Sequence, residues 1–218
     1  QTTIGKEVSL TGVGLHTGSD VTIKFVPADK NHGYAFKRVD LEGTPIIPAD
    51  ANLVNNTQRG TNLEKNGVKI QTSEHVLAAL VGLEIDNVLI ELNAAEPPIM
   101  DGSSKFFVEA LEKAGIVEQD AYREEYVVKE VISYRDEKTG SEITIIPSDT
   151  YQVTTMVDFG TKVLGTQNAT LENISDFKKE IADARTFSFL HELEALLETG
   201  LIKGGDLHKI RSLNLVDS

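Results

Sequence analysis

The chain has 218 residues, 40% hydrophobic and 25% charged, the composition of a globular protein of one large domain or two smaller ones. It lacks cysteine, which excludes disulfide staples and thiolate ligands, so a metal would have to be held by His, Asp or Glu. A net charge of −13 disfavours nucleic acid and anionic membrane surfaces as partners.

In chain order, Glu7–Leu10 leads through a glycine-rich turn to Val21–Asp29, a strand, turn and strand stopped at Pro27. The segment Gly12-Val13-Gly14-Leu15-His16-Thr17-Gly18 has the glycines of a phosphate loop. It joins two strands instead of opening a helix, so a hairpin connection with positive-φ glycines is the better reading. Ser73 is placed to cap a helix to about Gly82, with Val76, Leu77, Leu80 and Val81 on one face. A strand follows in which Val88, Ile90 and Leu92 alternate with Leu89 and Glu91, and Glu96-Pro97-Pro98 stops it. A second helix from about Ser103 is expected to bury Phe106, Phe107, Ala110 and Leu111 and to end at Gly115. Strands with helices on one side predict a layered α+β fold.

The second half echoes the first. Glu130–Ser133, a turn at Thr139-Gly140 and Glu142–Asp149 repeat the opening hairpin. Two like domains are expected, 1–121 and 122–218, although unrelated hairpins would match over so short a stretch. Strands are predicted over Tyr126–Ser133, Glu142–Ile146 and Tyr151–Phe159. Ser175 would cap a helix carrying Phe177, Ile181 and Ala184. A last helix, about Ser188–Glu198, would carry Leu190, Leu193, Leu196 and Leu197 and stop at Gly200.

Three places could carry chemistry. Ser73-Glu74-His75 opens the first helix, whose electropositive start favours neutral imidazole and ionised Glu74. A carboxylate beside a metal-ligating His can activate a bound water. Glu is also common in first turns for the dipole alone, and Ala79 stands where the His-Glu-x-x-His zinc motif has its second His. In Pro97-Pro98-Ile99-Met100-Asp101-Gly102-Ser103-Ser104, Asp101 or Ser103 caps the next helix, or Asp101 faces a cleft. Ala184-Arg185-Thr186-Phe187 groups a cation, a hydroxyl and a ring, which suits ligand contact and an ordinary helix end equally.

Taken together the chain resembles the UDP-3-O-acyl-N-acetylglucosamine deacetylases of lipid A biosynthesis. The matching stretches are 11–18, Ser73-Glu74-His75, 82–87, 98–103 and Ala184-Arg185-Thr186-Phe187 with Gly204-Gly205, in the same order. The resemblance implies two α+β domains packed with helices between the sheets, each with a small insert, the second shaping an apolar passage for the acyl chain. It implies zinc-dependent hydrolysis of the 2-acetamido group, releasing acetate. His75 would be the first zinc ligand, Glu74 the general base and Thr186 an oxyanion-stabilising residue. Phe187, Thr61 and Asp101 would border the substrate. The expected setting is a cytoplasmic monomer with a UDP-sugar as its small-molecule partner.

The chain departs from the family pattern after Gly205. The family's other two zinc ligands are a His and an Asp four residues apart in a run beginning His-Lys. Here His208-Lys209-Ile210 echoes that start, but Ser212 stands at the Asp position. The expectation is therefore a C-terminally truncated portion with an incomplete second domain and zinc site, the alternative being an inactive portion that binds the UDP-sugar or acyl chain. No part of the hydroxyacyl dehydratase fused to some relatives is expected.

Overall fold

The computed structural model describes residues 1–189, 192, 196, 198 and 200–205, and the backbone of 211–213. The elements begin with β1 (Thr2–Ile4), β2 (Val8–Val13), β3 (Asp20–Pro27), β4 (Tyr34–Arg38), β5 (Ile46–Pro48), β6 (Val54–Asn56), β7 (Asn62–Lys65) and β8 (Val68–Ile70). They continue through α1 (Glu74–Gly82), β9 (Val88–Leu92), α2 (Lys105–Ala114) and β10 (Ile116–Glu118). The later elements are β11 (Ile132–Arg135), β12 (Glu142–Ile145), β13 (Val153–Asp158), β14 (Thr166–Leu171), α3 (Phe177–Glu180), β15 (Phe187–Phe189) and β16 (Arg211–Leu213).

A five-stranded sheet of order β2-β3-β9-β4-β5 organises the first half. All neighbours are antiparallel except β4 and β9. Alternation sorts its two faces. Val21, Ile23 and Phe25 of β3, and Val88, Ile90 and Leu92 of β9, are buried on one side. On the other side Lys24, Glu91 and Lys37 stand in register across three strands. Both amines reach the Glu91 carboxylate, at 2.8 and 3.0 Å. The apolar side is covered by α1 and α2, with Phe107 meeting Phe25 edge to face at 6.4 Å. A separate three-stranded sheet, β6-β7-β8, precedes α1.

The helices bury slightly different stripes from those the sequence predicts. In α1 the buried positions are Val76, Ala79, Leu80 and Gly82, while Val81 is exposed. In α2, Phe107, Val108, Ala110, Leu111 and Ala114 are buried and Phe106 is partly solvent-facing. Ser73 does not cap α1 with its side chain. Its hydroxyl donates instead to the Thr61 carbonyl at 2.9 Å. Of the glycines in the β2–β3 loop only Gly18 has positive φ, +67°.

In the second half, β11 pairs with β12 and β13 with β14, as two separate two-stranded sheets. The strand expected from Tyr126 begins only at Ile132, because β12 supplies partners from Ile132↔Ile145 to Arg135↔Glu142 and none earlier. Large apolar side chains of these hairpins, such as Tyr134, Ile143 and Met156, are exposed. The helix expected after Ser175 is one short turn, α3, preceded by a 3-10 turn whose N-cap is Asn173. Ser188, expected in the last helix, lies in strand β15, which pairs in parallel with β16. Leu190, Leu193, Leu197 and His208 lie outside the described residues. No helix among the described residues is long and apolar enough to cross a membrane.

The α3 region is joined to the first half. Leu171, Phe177 and Ala182 belong to the same buried cluster as the five-stranded sheet. Lys178 reaches Glu112 of α2 at 2.8 Å. The ring of Phe177 lies directly on Gly82, where an added Cβ would come within 2.1 Å of Cδ1. Replacing a helical glycine by alanine ordinarily stabilises by about 1 kcal/mol. Here Gly82→Ala is expected to destabilise by about 1–3 kcal/mol through overpacking, measured by urea denaturation; a stability equal to or above the parent's would contradict this packing.

Candidate active site

Glu74 and His75 are the first two residues of α1, and the helix start is held by Thr61, just before β7. The Thr61 carbonyl accepts from the Ser73 amide at 3.1 Å and from its hydroxyl. In return the Thr61 amide donates to Glu74 Oε2 at 2.8 Å. The other carboxylate oxygen, Oε1, lies 4.0 Å from His75 Nε2. Thr61 thus supplies both its backbone polar groups to the start of α1, a cap provided by another segment in place of Ser73's own side chain.

His75 is mostly buried, and burial is what holds its imidazole below the ordinary value of 6.5; Glu74 and Asp101 pull the other way. The sequence argument for a neutral His75 rested on the helix field, whereas desolvation is the larger cause here. Its carbonyl accepts from the Ser104 hydroxyl at 2.9 Å.

Asp101 sits in the turn before α2, where Met100 and Gly102 both have positive φ. Its Oδ1 accepts from the amide and hydroxyl of Ser103, at 3.1 and 2.6 Å. Ser103 Oγ in turn accepts from the Lys105 amide at 3.2 Å. The N-cap position itself is Ser104, without a side-chain cap bond. Asp101 thus braces the turn entering α2 through Ser103 without capping the helix itself.

The chain returns to this turn from the second half. The Thr186 amide donates to the Gly102 carbonyl at 2.7 Å, and the Ser104 amide donates to the Ala182 carbonyl at 3.1 Å. These bonds bring Thr186 beside the Asp101 turn. Phe187, 41% exposed, makes edge contacts with Phe159 and Phe189 at 5.5 and 5.9 Å.

The sequence assigns no role to three further residues. Glu96 is fully buried, and its carboxylate accepts from the backbone amides of His16 and Thr17 and from the Thr72 hydroxyl. His16 Nε2 meets the Arg59 carbonyl at 3.3 Å, while its buried Nδ1 has no partner among the described residues. Arg59 pairs with Glu192 at 3.1 Å, tying the loop before Thr61 to the segment after Phe189. No local pattern announces these residues, because each partner lies tens of residues away.

The donor set can be tested against a metal. His75 offers a neutral imidazole, the ligating form, beside two carboxylates. Among the described residues, however, no group of three His, Cys, Asp or Glu side chains could hold an ion. The described residues fit one corner of a zinc site, not a whole one.

Comparison with known proteins places the chain beside one family. Residues 1–213 match the family described as LpxC: UDP-3-O-acyl N-acetylglycosamine deacetylase. The bifunctional enzyme LpxC/FabZ of Bacteroides thetaiotaomicron is 49% identical over 207 residues, covering 95% of this chain and 45% of the relative. That of Chlorobaculum tepidum is 46% identical over 208 residues, 95% and 44%. The UDP-3-O-acyl-N-acetylglucosamine deacetylase of Saccharophagus degradans is 42% identical over 211 residues, 95% and 69%. The chain thus spans less than half the length of the bifunctional relatives.

The lowered affinity of His75 for a proton has a sign. In the metal-free chain its folded pKa lies below the unfolded value of 6.5, so the unfolded chain binds that proton more readily. Its contribution is complete above pH 6.5 and is lost as pH falls below it. Urea denaturation across this range should show stability dropping on acidification, and His75→Gln should flatten the drop just below pH 6.5. An unchanged slope would place the buried titration elsewhere.

Proposed function

Because this chain belongs to the UDP-3-O-acyl N-acetylglycosamine deacetylase family, we propose that it hydrolyses the 2-acetamido group of a UDP-linked, 3-O-acylated N-acetylglucosamine in lipid A biosynthesis. The observation that carries the reading is the clasp between Thr61 and Glu74. It holds one carboxylate oxygen and leaves Oε1, on the His75 side, available to a water.

In this reading Glu74 Oε1 takes a proton from a water as the water's oxygen attacks the amide carbonyl. Charge builds on the carbonyl oxygen, and Thr186, tied to Gly102 beside Asp101, stabilises it. The proton held by Glu74 passes to the departing nitrogen as the C–N bond breaks, giving acetate and a free amine. Asp101, braced against Ser103, supports the polar environment of His75 and borders the substrate with Thr61. Phe187 and its two ring neighbours offer an apolar wall for the acylated sugar. His75 is the zinc ligand we assign to this chain. A bound zinc would supply Lewis-acid polarisation of the carbonyl and a more acidic water; its further ligands are not among the described residues.

A division into like halves at residues 121 and 122, with helices between two sheets, belongs to the same reading. The two opening hairpins, β2–β3 and β11–β12, support it. So does the contact of α3 with both helices, Phe177 lying on Gly82 of α1 and Lys178 reaching Glu112 of α2.

Acetate release from the UDP-sugar, with zinc supplied, tests the proposal. The unsubstituted chain should release acetate and free amine. Glu74→Gln should retain the fold and lose turnover by about 10²–10⁴-fold, the weight of a general base. Equal release from both forms, or binding of the sugar with no release from the unsubstituted chain, would overturn it.

A further inference from the structure

We infer that Glu96 is a positioning residue of this site, its buried carboxylate tying the β2–β3 loop to the strained residue from which α1 is launched. The inference rests on the functional reading above for its catalytic meaning, though not for its geometry.

Glu96 is 0% exposed and makes no salt bridge among the described residues. Such a carboxylate is costly to bury unless its oxygens are satisfied. Here they are: Oε2 accepts from the His16 amide at 3.0 Å and the Thr17 amide at 2.9 Å. Oε1 accepts from the Thr72 hydroxyl at 2.8 Å and shares the His16 amide at 3.1 Å. An apolar side chain of similar volume would fill the space without that requirement, so filling space does not explain the residue.

Its partner Thr72 does. Thr72 has φ +50°, a left-handed conformation that a β-branched residue adopts only when its surroundings impose it. Two bonds impose it: the Thr72 amide donates to Asn62 Oδ1 at 3.1 Å, and the hydroxyl donates to Glu96. Thr72 lies two residues before Glu74, so its φ sets the direction in which the first turn of α1 leaves the β6–β8 sheet. The loop end of the tether is equally fixed. A Cβ on Gly14 would lie 2.7 Å from Glu96 Oε2, so the glycine leaves room for the carboxylate. The Leu15 carbonyl, in turn, accepts from the Gly204 amide at 3.0 Å. One carboxylate therefore links the 14–17 loop, and through it residue 204, to the residues that aim Glu74.

The chemistry of the pair makes a decisive substitution series possible. In Glu96→Gln the amide oxygen can accept from His16 and Thr17 while its NH₂ donates to the Thr72 hydroxyl, which turns from donor to acceptor. In Thr72→Val no such reversal exists. Amide hydrogen exchange at Thr61, whose N–H holds Glu74, reads the aim of the helix start directly, and deacetylation kinetics read its consequence. Thr72→Val is expected to speed Thr61 exchange about tenfold and to lower kcat about tenfold with KM unchanged, the weight of one lost hydrogen bond. Glu96→Gln should stay within about threefold of the parent in both, but should lose that tolerance when combined with Thr72→Val. Should Thr72→Val fail to fold, Gly14→Ala, which crowds the carboxylate from the loop side, carries the same expectation. A lower melting temperature with Thr61 exchange unmoved would make Glu96 merely structural and overturn the inference. Absence of turnover in the parent would defeat the functional reading alone, since the exchange measurement still decides the tether.

Discussion

The start of α1 is defined by a reciprocal clasp with Thr61, and the candidate site follows from it. The Thr61 carbonyl takes both the amide and the hydroxyl of Ser73, while its amide goes to the carboxylate of Glu74. A helix start leaves its first amides and its direction of entry to be settled by other groups. Here a segment outside the helix settles them, so the orientation of Glu74 is set by the β6–β8 sheet. The clasp accounts for two features of the sequence at once: a serine that is not a side-chain cap, and an acidic residue whose carboxylate is held by the residue just before β7.

The remainder of the fold holds this helix start against its surroundings. The five-stranded sheet offers α1 and α2 one apolar face, and its other face carries the Lys24–Glu91–Lys37 stripe. The half-buried pairs in that solvent-facing stripe add little stability each; burial of the opposite face by Phe25, Ile90 and Phe107 is the larger contribution. From the second half, Phe177 seats on Gly82 and the 182–186 segment pairs with residues 102–104. These contacts bring Thr186 to the Asp101 turn, beside which burial holds the His75 imidazole below its ordinary value.

Much of this was legible in the sequence wherever the signal is periodic. The alternation from Val88 to Leu92 and the helices ending at Gly82 and Gly115 are local patterns, and each became the element it predicts. Glu74, His75, Asp101 and Thr186 were singled out from sequence, and the hydrogen bonds draw their segments together. What escaped were long-range choices. Residues 126–131 have the composition of a strand but no partner strand among the described residues. The helix after Ser175 ends after one turn because the chain bends at Ile181 to deliver the Ala182 carbonyl to Ser104. Glu96 reads as a plain residue before two prolines. Its burial depends on amides 79 and 80 residues earlier in the chain, which no window of local sequence contains.

The account stands on His75 being the imidazole that meets the metal of the proposed site, with Glu74 beside it. The most direct measurement is a zinc titration of the chain followed through its histidine ring nitrogens by ¹⁵N NMR. Zinc should shift His75 Nε2 or Nδ1 at the lowest metal concentrations, leaving the exposed His32 ring unmoved. A first response at His16 or His32, with His75 unchanged at saturating zinc, would contradict the account.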